Sequence, residues 1–107
     1  MRQVEFHRLL DESNALRVSF QIDHGRVLEF VVQLECRFVG TERWMPVVRY
    51  DTAHGFAHRD EMRPAGKAIK TALAAKDYTE ALQVAMDDLT ANWRVYRRRY
   101  EQWVATE

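Results

Sequence analysis

Residues 16–38 alternate with a period of two, and this pattern constrains the fold more than anything else in the chain. Leu16, Val18, Phe20 and Ile22 fall on one side of an extended segment, with Arg17, Ser19 and Gln21 on the other. After Asp23-His24-Gly25-Arg26 the alternation resumes, with Leu28, Phe30, Val32, Leu34, Cys36 and Phe38 set against Glu29, Gln33, Glu35 and Arg37. Successive side chains of a strand point to opposite faces, so each run reads as a strand with one buried face. Gly25 supplies the positive φ of a tight turn, and the two runs form a long antiparallel hairpin. Its apolar face must lie on another layer.

The last third of the chain supplies that layer. Asp77 with Glu80 three residues on is a capping-box arrangement that satisfies free amide donors of a first helical turn. Leu82, Met86, Leu89, Trp93, Tyr96, Tyr100 and Trp103 follow at spacings of four and three, one continuous apolar stripe. The helix is expected over residues 78–104, roughly 40 Å long. Its aromatic stripe suits packing across a curved sheet; a two-stranded coiled coil favours branched aliphatic residues there. The last turns can overhang a small sheet, which leaves dimerisation through the helix end open.

Between these parts the pattern is weaker. Gly40-Thr41-Glu42 reads as a turn into a third strand over 44–50, where Pro46 requires an edge or an early strand position. Segment 4–10 lacks a decisive period and is expected as a strand pairing the hairpin. Residues 51–60 have no clean period, 63–66 read as a loop, and 67–75 as a short helix or an irregular connection. The expectation is one α+β domain over residues 1–107, an antiparallel sheet of about four strands with a long carboxy-terminal helix packed on one face.

Composition narrows the function classes. The 107 residues are 47% hydrophobic, enough for one core, and 30% charged with few Gly and Pro, which excludes a disordered chain. Sixteen basic residues balance sixteen acidic ones, so any polyanion must meet a local patch. Cys36 is the one cysteine, on the inward side of the hairpin, and reads as a buried structural thiol. The charged amino-terminal stretch does not fit a signal peptide, and no apolar run is long enough for a membrane span; a cytoplasmic, non-membrane protein is expected. No phosphate-loop, dinucleotide or nucleophile-elbow motif is present.

Two places concentrate polar chemistry. Arg49, Tyr50 and Asp51, followed by His54, His58 and Asp60, offer proton-transfer groups beside an anion stabiliser, a set suited to phosphodiester cleavage. On a strand His54 and His58 would stand about 13 Å apart and on a helix one turn apart, while Gly55 between them favours a turn. Hydrogen bonds that fix an irregular crossing explain the same residues without catalysis. No metal or cofactor is expected, because no paired-histidine spacing on a helix and no third ligand at a diagnostic spacing occurs. His7 and His24 read as surface residues. The second place is Arg94, Arg97, Arg98 and Arg99 beside Trp93, Tyr96 and Tyr100. Arginine forks bind phosphate and stack on bases, yet cations near a helix end also simply complement its dipole. Lys67 and Lys70 would complete a phosphate site if their loop folds back.

The run from Val48 to Gly55, continued by His58, Arg59 and Asp60, resembles the central motif of a family of small prokaryotic domains of unknown function. Asp88, Leu89, Thr90, Ala91, Asn92 and Trp93, then Tyr96 and Arg97, resemble its closing signature. The sequence is more distantly similar to TumE-type toxins of toxin-antitoxin modules, and departs from their pattern at Thr52 and Asp60, where asparagine and histidine are usual. The resemblance implicates Arg49, Asp51, His54 and His58 and implies a toxin-like module acting on RNA, with an antitoxin protein as partner. The rival expectation is a noncatalytic interaction module or homodimer.

Overall fold

The computed structural model describes residues 1–106. Six strands lie in chain order in one antiparallel sheet: β1 (Arg2–Asp11), β2 (Asn14–Asp23), β3 (Arg26–Cys36), β4 (Met45–Asp51), β5 (His58–Glu61) and β6 (Ile69–Ala72). A 3-10 turn, Ala53–Gly55, links β4 to β5, and the helix α1 (Tyr78–Thr106) follows the sheet. The α+β class agrees with the sequence, and the expected four strands are corrected to six.

Local chemistry accounts for the turns. His24 and Gly25 both have positive φ, 49° and 77°, and Asp23 pairs with Arg26, as a two-residue hairpin loop of the twist-compatible kind requires. Between β1 and β2, Asp11 Oδ1 accepts hydrogen bonds from the Ser13 amide and from Asn14 Nδ2, both at 2.8 Å. At the start of α1 the Glu80 amide donates to Asp77 Oδ1 at 2.9 Å, the expected cap. Thr79 Oγ1, in the first turn, accepts the Val27 amide and ties the helix start to β3.

The core lies between α1 and one face of the sheet. Leu16 and Val18 of β2, Phe30, Val32, Leu34 and Cys36 of β3, and Val48 and Tyr50 of β4 are buried there. Full burial of Leu16, Leu34 or Leu89 stabilises the fold by about 1.5–3 kcal/mol each. Burial pushes the Cys36 thiol up to about 12, so it is inert at neutral pH, as a structural cysteine should be.

Three expectations need correction. The helix face is centred on Ala81, Ala85, Leu89, Trp93, Tyr96 and Tyr100, while Leu82, Met86 and Trp103 are only partly buried. The two alanines let the first half of α1 approach the sheet closely, with the larger residues flanking it. Leu28 is not inward. Gln21 pairs with Glu29 and Ile22 with Val27, so a bulge skips Leu28, which is 42% exposed. Residues 69–72, expected in a short helix or irregular connection, are the edge strand β6. Pro46 sits early in β4, beside the register shift opposite Leu34 and Glu35, where the missing amide is tolerated.

Candidate functional site

Strand register aligns side chains in rows across the face of the sheet that α1 leaves uncovered. One row takes a residue from every strand: His7, Arg17, Gln33, Arg49, Asp60 and Lys70. The next row is Glu5, Ser19, Val31, Asp51, His58 and Ala72. At the usual strand spacing each row spans about 24 Å. Four cationic or titratable bases thus fall in a line that no segment of sequence displays.

Two rows meet in a compact polar cluster on β4, β5 and β6. His58 is 1% exposed, and its Nε2 lies 3.0 Å from Asp51 Oδ1 and 3.5 Å from Asp60 Oδ2. Its Nδ1 is 3.2 Å from the Phe56 carbonyl oxygen; a carbonyl only accepts, so Nδ1 carries the hydrogen and Nε2 faces the carboxylates. The Phe56 ring leans over the imidazole at 5.0 Å. Asp51 Oδ1 also accepts the Ala53 amide at 3.0 Å, which anchors the 3-10 turn. Arg49 Nε stands 3.6 Å from Asp51 Oδ2, with the Arg49 side chain 44% exposed. Lys70 Nζ lies 3.0 Å from Asp60 Oδ1 in an ion pair whose geometry makes no hydrogen bond to that oxygen, which is buried and otherwise bare.

The structure therefore brings Arg49, Asp51, His58, Asp60 and Lys70 together. Pairing of β5 with β6 places Lys70 opposite Asp60, which the sequence could supply only if the connection folded back. His54 is exposed on the 3-10 turn with φ 69°, so the turn reading of Gly55 agrees with the backbone. Lys67 is exposed before β6, in the connection from β5.

The helix arginines separate. Arg97 donates to Asn14 Oδ1 at 2.7 Å and to the Arg37 carbonyl at 3.2 Å, and lies over the Phe38 ring, so it clamps the ends of β2 and β3. Arg99 pairs with Glu61, and Arg94 stacks on Trp93 at 4.4 Å. Arg98 is exposed.

Two adjoining hollows flank Arg49 on the open face. One, of about 310 Å³, is bordered by Ser19, Glu29, Arg49, Asp51 and Thr52. The other, of about 480 Å³, is bordered by Glu5, His7, Arg17, Ser19 and Arg49. His7 and Arg17 escaped sequence reasoning because their relation to Arg49 exists only through register; Arg17 itself pairs with Glu35 at 3.4 Å.

A second polar network lies under the helix. Tyr50 and Tyr96 hydroxyls both donate to Asp88 Oδ2, at 2.8 and 2.6 Å, and Asn92 Nδ2 donates to Oδ1 at 2.8 Å. Arg59 donates to the Tyr96 hydroxyl oxygen at 3.0 Å and approaches Glu61 at 3.6 Å. Burial, reinforced by Asp88, pushes the Tyr50 phenol up to about 12 and raises that of Tyr96 as well. This network was legible only as a helix signature.

The protein is thus an α+β meander whose helix closes one sheet face and whose other face carries a charged row beside a histidine-carboxylate cluster. The chain matches the domain of unknown function DUF7718 over residues 1–106, and it belongs to that family. No curated protein and no solved structure matches it. Among the described residues no helix is long and apolar enough to cross a membrane.

Proposed function

We propose that the protein is a toxin-like module that binds RNA along its open sheet face and carries out ribonuclease-type phosphodiester chemistry there. The observation that supports this reading is the cross-strand row, in which His7, Arg17, Arg49 and Lys70 line up over four of six strands. A basic track beside an exposed aromatic ring, here Phe56 at 42% exposure, suits a single strand: phosphates meet cations and a base stacks on the ring. Arg17, Arg49 and Lys70 pair with Glu35, Asp51 and Asp60, and each cationic side chain is about half exposed, so phosphates can exchange for those carboxylates.

Roles follow from exposure. Arg49 contacts a phosphate and stabilises charge on its nonbridging oxygens. His54, on the exposed turn, takes the proton of a ribose 2′-hydroxyl. The 2′-oxygen forms the new bond to phosphorus, the bond to the 5′-oxygen breaks, and that oxygen takes a proton from water. His58 is too buried to touch substrate; with a proton on Nε2 as well as on Nδ1 it donates to Asp51, which in turn holds Arg49 and the turn bearing His54. An antitoxin partner would cover this face. The test is incubation of the purified protein with a labelled single-stranded RNA. Cleavage lost in His54→Ala and Arg49→Ala, with growth inhibition lost in parallel, is the expected result. RNA that neither binds nor is cut by the wild-type protein would sink the reading.

A second reading, the noncatalytic homodimer, is favoured by one feature. An apolar hollow of about 570 Å³ opens at the helix end between Phe38, Val39, Met45, Tyr100 and Val104. Light scattering of the wild type and of Val104→Glu decides it: a dimer that dissociates in the variant supports this reading, and a wild-type monomer removes it.

A further inference from the structure

We propose that Asp51, His58 and Asp60 form a binding site for a divalent transition cation of the Mn²⁺ or Zn²⁺ class, independent of the RNA reading. One ligand atom from each residue lies within 4.8 Å of the others. The 3.0 and 3.5 Å separations from Nε2 to the two carboxylates match the edges of a coordination shell. Ligands about 2.1 Å from a metal stand about 3.0 Å apart in an octahedron and about 3.4 Å apart in a tetrahedron.

The imidazole is oriented for a metal. Its Nδ1–H is spent on the Phe56 carbonyl, the outer contact that commonly fixes the tautomer of a ligating histidine. The Nε2 lone pair then points at two carboxylate oxygens, groups that can only accept. Such a contact needs a positive occupant between its members, a proton or a cation. Asp60 presents Oδ2 to the imidazole, an oxygen that accepts from Lys70 Nζ at 3.3 Å, while its buried Oδ1 accepts no hydrogen bond and lies 3.0 Å from the same ammonium. All three ligands stand on paired strands, with Asp51 directly opposite His58 and Asp60 two residues on, so the set is rigid.

Two neighbours say how a cation would enter. Arg49 stays on the outer oxygen of Asp51, while Lys70, whose side chain is 49% exposed, holds Asp60. Lys70 occupies the carboxylate that the metal needs and has solvent to swing into, so its ammonium and the ion compete. One imidazole and two carboxylates form a donor set between hard and soft, which favours Mn²⁺ or Zn²⁺ over Ca²⁺.

The experiment is titration of chelator-treated full-length protein with MnCl₂, followed by loss of the free-ion electron paramagnetic resonance signal. One ion per chain is expected, bound at least tenfold more weakly by Asp60→Asn and severalfold more tightly by Lys70→Ala. His58→Ala should abolish binding, and circular dichroism of the Asp60 and Lys70 variants keeps the test valid if that variant unfolds. Absence of saturable binding up to millimolar Mn²⁺ overturns the proposal. So does binding unchanged in Asp60→Asn, weakened in Lys70→Ala, or lost in His24→Ala, an exposed histidine far along the chain from the cluster.

Discussion

Strands β4 and β5 carry two polar clusters on opposite faces, drawn from alternating residues of the same two segments. Tyr50, Arg59 and Glu61 point under the helix; Arg49, Asp51, His58 and Asp60 point away from it. Under the helix, Asp88 accepts three hydrogen bonds and each tyrosine hydroxyl is engaged. On the open face, Arg49 and Lys70 remain about half exposed and one carboxylate oxygen lacks a hydrogen bond. Each cluster keeps one buried atom without a hydrogen bond, Arg59 Nε under the helix and Asp60 Oδ1 on the open face, so exposure is what separates them: α1 covers the first, and half-exposed cations edge the second. The same backbone thus carries a helix-covered polar network on one side and a solvent-edged one on the other.

The contrast can be broken most sharply at Asp88. Asp88→Ala strands two tyrosine hydroxyls, while the exposed Asn92 amide turns to water, and should cost about 3 kcal/mol of stability in urea unfolding while RNA affinity of the folded fraction stays unchanged. Equal loss of binding would show that the two clusters act as one. The mirror experiment is Arg17→Ala with Arg49→Ala. Fluorescence anisotropy should show RNA affinity reduced about tenfold or more and a shallower salt dependence, with stability within about 0.5 kcal/mol.

Alkaline pH tests the closed side through its two phenols. The Tyr50 phenol is raised in the fold, so its neutral form is favoured; the stability it contributes is complete below the unfolded value near 10 and lost as pH rises towards about 12. Absorbance at alkaline pH should show two phenols, Tyr50 and Tyr96, ionising above the ordinary tyrosine range. Asp88→Asn should bring both down, since it removes the negative charge that opposes a phenolate. The smallest effect belongs to Arg94. It stacks on Trp93 at the helix surface, and Arg94→Ala should change both melting temperature and RNA affinity by less than measurement resolves if the helix arginines form no second site.

Period and capping sufficed for β2, β3 and α1 because each has one apolar face and one polar one. They failed for β5, whose His58, Arg59, Asp60 and Glu61 are polar on both sides, since each side faces a polar cluster. They failed for β6, which is exposed throughout and defined by pairing rather than by burial. Arg49, Asp51, His54 and His58 stood out because they crowd one stretch of chain. The partnership of Lys70 with Asp60, and the alignment of His7 and Arg17 with Arg49, depend on the registers of five hairpins, information spread over the whole sheet. The helix arginines show the converse: neighbours in sequence, they diverge around α1, Arg94 over Trp93, Arg97 to Asn14 and Arg99 to Glu61.

The strict chain order of the strands has a kinetic side. Every pairing in the sheet joins consecutive segments, so each new strand can dock on the one before it, across a short loop, with little closure entropy. The cover is the last element of the chain. Until α1 closes over β3 and β4, the sheet presents Leu34, Val32 and Val48 to water, a sticky surface on an otherwise assembled scaffold. Docking of the helix therefore hides the surface most prone to association, and the Asp88 network is a latch that helps hold it shut.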